Sequence, residues 1–153
     1  MVDERANELS APQAAERSGV ASAREDLGLL LLRLGGGGFM LTHGLPKLLK
    51  LFTVGAGRFP DPFGIGATAS LSLAVFSEVF CAALLILGFR TRWASLPLIV
   101  TMGVAAFLVH GADPFKKKEL ALIYLCIYLA LALLGGGRIS LDALFARRKN
   151  LKS

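Results

Sequence analysis

The stretch TASLSLAVFSEVFCAALLILG (Thr68–Gly88) is followed, after only Phe89-Arg90-Thr91-Arg92, by WASLPLIVTMGVAAFLVH (Trp93–His110), and this pair decides the fold. A helix that crosses the hydrocarbon core of a bilayer needs about 20 mostly apolar residues. Both stretches have that length, and so short a connection makes them antiparallel neighbours. Pro97 falls near the first turn of the second stretch, where proline is tolerated. Working outward, Leu27–Leu49 is a further apolar segment upstream, and Glu119 to about Leu134 is one downstream, short unless Gly135–Gly137 continue it. The reading is an all-α integral membrane four-helix bundle of up-down topology, occupying residues 27–137.

Composition agrees. The chain has 153 residues, 54% of them hydrophobic, with a mean hydropathy of +0.61, and four spans leave too little for a second folded unit. The net charge of +6 comes from Lys and Arg clustered at segment ends. That pattern suits anionic lipid headgroups, so membrane lipids are expected partners. Nucleic acid is not, because aromatic and basic residues do not interleave. Cys81 and Cys126 lie apart inside apolar segments and form no metal or redox spacing, so they read as packing residues.

Residues 1–26 are polar and rich in Ala and Glu, and read as a disordered cytoplasmic tail. They are no secretory signal, since the start is acidic and the next apolar run is too long. In Leu27–Leu49, the glycines Gly35–Gly38 allow close helix approach in lipid, and Pro46 is expected to kink or end the helix. The linker Lys50–Gly66, with Phe59-Pro60-Asp61-Pro62-Phe63-Gly64, is too irregular to span and belongs at the interface. Residues 138–153 read as a short amphipathic basic segment on the membrane surface. In it Ser140 caps a helix, Asp142 sits in the first turn, and Leu141, Leu144 and Phe145 share one face.

Four crossings place both termini on one side. That side would carry Arg5, Arg17, Arg24, Arg90, Arg92, Arg138, Arg147, Arg148, Lys149 and Lys152, and the other Lys47, Lys50, Arg58, Lys116, Lys117 and Lys118. Ten against six puts both termini in the cytoplasm of a multi-pass plasma-membrane protein.

Two ionisable residues fall well inside the spans, Arg33 and Glu78. A charge at mid-bilayer costs about 2.5–3.5 kcal/mol or more, which makes such residues functional candidates. Glu78 shares a small-residue stripe with Ser70, Ala74 and Ala82, flanked by Ser77 and Cys81, and should point inward. Gly36, Gly37, Met40, Gly44 and Lys47 share the face of Arg33, with His43 at its edge. Helical rise makes the depths compatible. The expectation is an Arg33–Glu78 ion pair with His43 as a competing partner, serving either as a structural clasp or as a pocket. Arg33, His43 and Glu78 are thus the candidate binding residues. His43 and His110 bracket one face, but two lone histidines do not make a metal site and none is expected. Tyr124 and Tyr128, one helical turn apart, fit packing better than a pocket, and Trp93 fits an interfacial anchor. Gly35–Gly38 lacks the Lys-Ser/Thr of a phosphate loop, and no self-contained catalytic motif is found.

Several of these features in order resemble the DoxX family of bacterial and archaeal membrane proteins. They are Leu32-Arg33-Leu34, His43-Gly44-Leu45-Pro46-Lys47-Leu48, Glu78, Leu87-Gly88-Phe89-Arg90-Thr91-Arg92, and the closing Gly-Gly-Gly-Arg-Ile-Ser-Leu-Asp ending at Asp142. The likeness covers about residues 27–142, and the family's Arg, His-Gly and Glu positions map onto Arg33, His43, Gly44 and Glu78. Lys116-Lys117-Lys118 departs from a stretch that is often Gly- or aromatic-rich in the family. The resemblance implies a four-helix membrane bundle in a redox setting, either a quinone-reducing thiosulfate oxidoreductase or terminal oxidase assembly, or oxidative and thiol stress. The functional expectation is an accessory or subunit of a quinone- or thiol-linked membrane redox system. Quinone would be the cofactor, with none held by a motif of the chain itself, and an oxidoreductase subunit or a homo-oligomer would be the partner. The alternatives are a small transporter or carrier of a hydrophobic ligand, and a structural scaffold.

Overall fold

The computed structural model describes the backbone of residues 2–150 and the side chains of residues 22–149. The side chains of the expected tail up to residue 21 and of the end of the basic segment lie outside the described residues. The chain is all-helical, with no strand among the described residues. The elements are α1 (Val2–Thr53), α2 (Ala67–Leu87), α3 (Thr91–Val109), α4 (Phe115–Leu134) and α5 (Leu141–Asn150). Two of them, α2 and α3, are long and apolar enough by themselves to cross a membrane. Helix α1 packs along α2, α2 along α3 and α3 along α4, and α1 closes back on α4.

Small residues set the closest approach. Gly36, Gly37, Met40 and Gly44 are all buried on the face of α1 that also carries Arg33, as the helical spacing requires. A methyl group on Gly44 would stand 2.8 Å from the Glu78 backbone, and one on Gly37 2.9 Å from the Ala82 carbonyl oxygen. The Tyr128 hydroxyl reaches across from α4 to donate to the Gly36 carbonyl at 2.9 Å. The core between these helices is filled by Met40, Cys81, Ala82, Leu85, Leu98 and Tyr128. Tyr124 and Tyr128 are therefore packing residues, stacked at 5.9 Å.

Helix α2 is not a regular α-helix throughout. Phe76–Cys81 forms a π-helical turn that places Ser77, Glu78 and Cys81 in the interior together. Such turns insert an extra residue into a helix and recur at functional sites. A second π-helical turn, Ala105–Val109, ends α3.

Two details differ from the sequence reading, and the linker gains a fixed anchor. Pro46 does not end α1, which continues to Thr53, as neighbouring helices allow in a membrane protein. Helix α4 starts directly after Pro114 and includes the Lys116–Lys118 run. The linker is tied down by Asp61, whose carboxylate accepts from the Ile65 and Gly66 amides at 3.1 and 2.7 Å and from the Ser70 hydroxyl at 2.7 Å. The Ser70 hydrogen bond first, and the amides after it, hold this carboxyl below the usual carboxylate range. Asp61 thereby pins the turn that leads into α2, whose own N-cap residue is a glycine.

The contact at Gly44 gives a direct test. Gly44→Ala should destabilise the detergent-solubilised protein by about 1–3 kcal/mol, the cost of overpacking a tight contact. Gly38→Ala meets nothing within 4 Å and should be neutral or slightly stabilising. Equal thermal unfolding midpoints for the two variants would contradict the packing described.

Candidate functional site

The expected Arg33–Glu78 ion pair does not form. Glu78 is instead held by Lys47, whose ammonium lies 2.5 and 2.7 Å from the two carboxylate oxygens. The Glu78 side chain is 2% exposed and that of Lys47 32%, so the pair is anchored in the interior and open on the lysine side. The geometry follows from α1. Gly44 lies against the Glu78 backbone, and Lys47 is one turn further along the same face, about 4.5 Å of rise. An unpaired carboxylate at this depth would be neutral or very costly. The lysine removes that cost.

Arg33 is buried at the far end of the molecule. Its guanidinium lies over Gly88 at the end of α2, where any side chain would collide with it. It donates to the Ile139 carbonyl and is attracted by Asp142. Asp142 in turn accepts from the Arg90 and Thr91 amides at 2.6 and 2.9 Å, capping α3. The Asp142 amide donates to the Gly88 carbonyl at 2.9 Å. Ser140 caps α5 as expected, accepting from the Ala143 amide at 3.2 Å. Phe145 packs edge-on to Phe89 at 5.9 Å. Arg33 is thus the hub that docks α5, and its Nε has no partner among the described residues.

His43 is apart from both. It is exposed on α1 and meets the Tyr124 ring edge-on at 6.0 Å. The three candidate residues therefore occupy three places, and Glu78 lines a cavity. That cavity, of about 310 Å³, lies beneath the α1–α2 connection. Phe59, Pro62 and Phe63 cover it, Leu73 and Val100 form part of its wall, and Lys47, Glu78, Ser70 and His110 supply polar groups. The sequence placed Lys47 on the correct face but not against Glu78, and left His110 and Asp61 without a role. Proximity to Gly44 was the available signal for Lys47.

No group of three or more metal-ligating residues is found among the described residues. Cys81 is buried, Cys126 is exposed, and both are free. Large apolar side chains such as Phe39, Phe52, Trp93 and Leu133 are 66–80% exposed. Water would not tolerate so much apolar surface.

An all-helical chain with membrane-length apolar helices, a lipid-like exterior and its buried charges paired or hydrogen-bonded inside is a membrane protein. The family model DoxX matches residues 28–111, and the chain belongs to the DoxX family. It is 35% identical over 101 residues to an uncharacterized protein of Haemophilus influenzae, covering 63% of this chain and 67% of that one. It is 32% identical over 130 residues to a second uncharacterized protein of the same organism, covering 78% and 92%. No solved structure matches.

Arg33→Met should release α5. Losing a hydrogen bond from a charged donor costs about 1.5–3 kcal/mol, so amide exchange over residues 141–149 should accelerate at least about tenfold while α2 is unaffected. Asp142→Asn should act in the same direction. Unchanged exchange in both variants would contradict the docking role.

Proposed function

We propose that this DoxX protein binds a small, largely apolar molecule with a polar head in the cavity at Glu78. The observation that carries the reading is the pairing of an apolar lining with a few converging polar groups on a buried ion pair, the usual make-up of a ligand site. A volume of about 310 Å³ suits a single ring system. Leu73 and Val100, 58% and 61% exposed, leave an apolar tail a way out toward lipid.

A quinone ring fits these residues. Lys47 has three N–H donors and its contacts with the two Glu78 oxygens leave capacity for a carbonyl. The aromatic and proline residues of the α1–α2 connection shield the ring from water. A bound quinone supplies reversible electron and proton uptake, and a partner subunit would deliver the electrons. The family's redox setting supports this accessory role. The same reading has α1–α4 crossing the plasma membrane as an up-down four-helix bundle. The short connections α2–α3 and α3–α4 and the α1–α4 contact support that arrangement, and the Lys and Arg distribution favours cytoplasmic termini.

A carrier of lipid-like molecules is the second reading, favoured by the exposure of Lys47 at the cavity. A sealed scaffold is disfavoured, because the buried charge borders open space.

The test is to purify the full chain in mild detergent, extract it with organic solvent, and identify bound neutral ring-bearing lipids by mass spectrometry. Leu73→Trp, which narrows the cavity from an exposed position, should lower the bound amount about tenfold, equivalent to about 1.4 kcal/mol, with unchanged thermal stability. Extracts of the two proteins that do not differ would overturn the proposal.

A further inference from the structure

We infer that the cavity takes a hydroxyl-bearing aromatic ring, a phenol or hydroquinone, whose O–H is accepted by Nε2 of His110, with Asp113 holding that imidazole in the accepting tautomer. The inference rests on the cavity being a ligand site.

The turn that carries His110 is fixed. His110 follows the π-helical turn that ends α3, and its amide donates to the Ala105 carbonyl at 3.0 Å. Its own carbonyl accepts from the Asp113 amide at 3.0 Å. Gly111 lies so close to the Phe107 carbonyl oxygen that a methyl group there would be 2.3 Å from it. Lys118 closes the turn by donating to the Gly111 carbonyl at 2.9 Å. Ring and carboxylate therefore sit on a backbone with little freedom, and Nδ1 of His110 lies 2.8 Å from Oδ2 of Asp113.

The direction of that hydrogen bond follows from charge. The bond to His110, and then the attraction of Lys117, hold the Asp113 carboxyl below the usual carboxylate range. An ionised carboxylate only accepts, so Nδ1 carries the proton. In the neutral imidazole Nε2 is then bare and can only accept. The same logic orients a histidine wherever a carboxylate grips its other nitrogen.

The other polar groups of the cavity are partly engaged. Lys47 and Glu78 are paired with each other, with one ammonium N–H left to give, and the Ser70 hydroxyl donates to Asp61. His110, which lines the cavity and has its other ring nitrogen held by Asp113, adds an acceptor. A carbonyl or ether ligand offers only acceptors in return and gains nothing from it, whereas a hydroxyl does. The charges around His110 are Asp113 and Lys117 on the α4 side, Lys118 bound to Gly111, Lys47 and Glu78 across the cavity, and Asp61 in the α1–α2 connection. The Lys47–Glu78 pair is internally neutral, so Asp113 with Lys117 on its other oxygen at 3.4 Å sets the local field.

Acid reverses the selection. Once His110 is protonated, Nε2 becomes a donor, and a phenol and its methyl ether can both accept from it. A preference for hydroxyl over ether should therefore exist with neutral imidazole and disappear with imidazolium.

The experiment measures binding of 2-naphthol and 2-methoxynaphthalene to the full chain in detergent by equilibrium dialysis, between about pH 5 and pH 8, the range in which histidine changes charge. The naphthol should bind about tenfold better than the ether at the upper end, the size of one hydrogen bond of about 1.4 kcal/mol. The ratio should fall toward one at the lower end. His110→Gln should make the ratio independent of pH, and Asp113→Asn should reduce it at the upper end. A ratio in the wild type that does not change with pH, or one unaltered by His110→Gln, would overturn the inference and leave the cavity reading standing. Binding of neither probe, at any pH, would overturn the cavity reading itself.

Discussion

The ion pair between Lys47 and Glu78 is the constraint on which the rest of the structure depends. A carboxylate within an apolar interior needs a counter-charge at hydrogen-bonding distance. The lysine that supplies it is on the neighbouring helix, so α1 and α2 must approach until their backbones touch. Gly44 permits that approach because any side chain there would meet the Glu78 backbone. The π-helical turn of α2 turns Ser77, Glu78 and Cys81 inward together. The polar floor of the cavity is a consequence of this one contact.

The opposite end of the molecule solves a similar problem differently. Arg33 is buried without a carboxylate hydrogen-bonded to it. Its guanidinium is satisfied in part by the Ile139 backbone carbonyl and steadied by Asp142. Asp142 also caps α3, so the segment after α4 is drawn in to cover the ends of α2 and α3. One end of the molecule is closed by this arrangement, while the other keeps a cavity under the α1–α2 connection. The two buried charges thus divide the labour: one closes an end and one borders a cavity.

Much of this was legible in the sequence. The all-helical chain, the two membrane-length apolar helices α2 and α3, the buried α1 residues Arg33, Gly36, Gly37, Met40 and Gly44 with Lys47 on the same face, the inward Glu78 and the Ser140 cap all follow from helical spacing and residue size. The partner of Glu78 did not. Placing the first span at Leu27–Leu49 set Arg33 at a depth from which it could reach Glu78. In the structure Arg33 lies over Gly88 at the end of α2, and Lys47 is the residue opposite Glu78. Register between two helices is fixed by backbone contact, and a sequence shows that contact only through a glycine. The Ile139 carbonyl could not be foreseen as a partner because every residue carries the same backbone oxygen. The role of Asp113 beside His110 depends on a turn whose conformation spacing does not specify.

The most direct measurement is a pair of charge exchanges at Glu78, read as thermal stability and yield in detergent. Single reversals at Lys47 or Glu78 should each destabilise the protein severely. Lys47→Glu combined with Glu78→Lys should recover a large part of the loss, and Arg33→Glu combined with Glu78→Arg should recover none. Recovery in the second pair, or its absence in the first, would contradict the account.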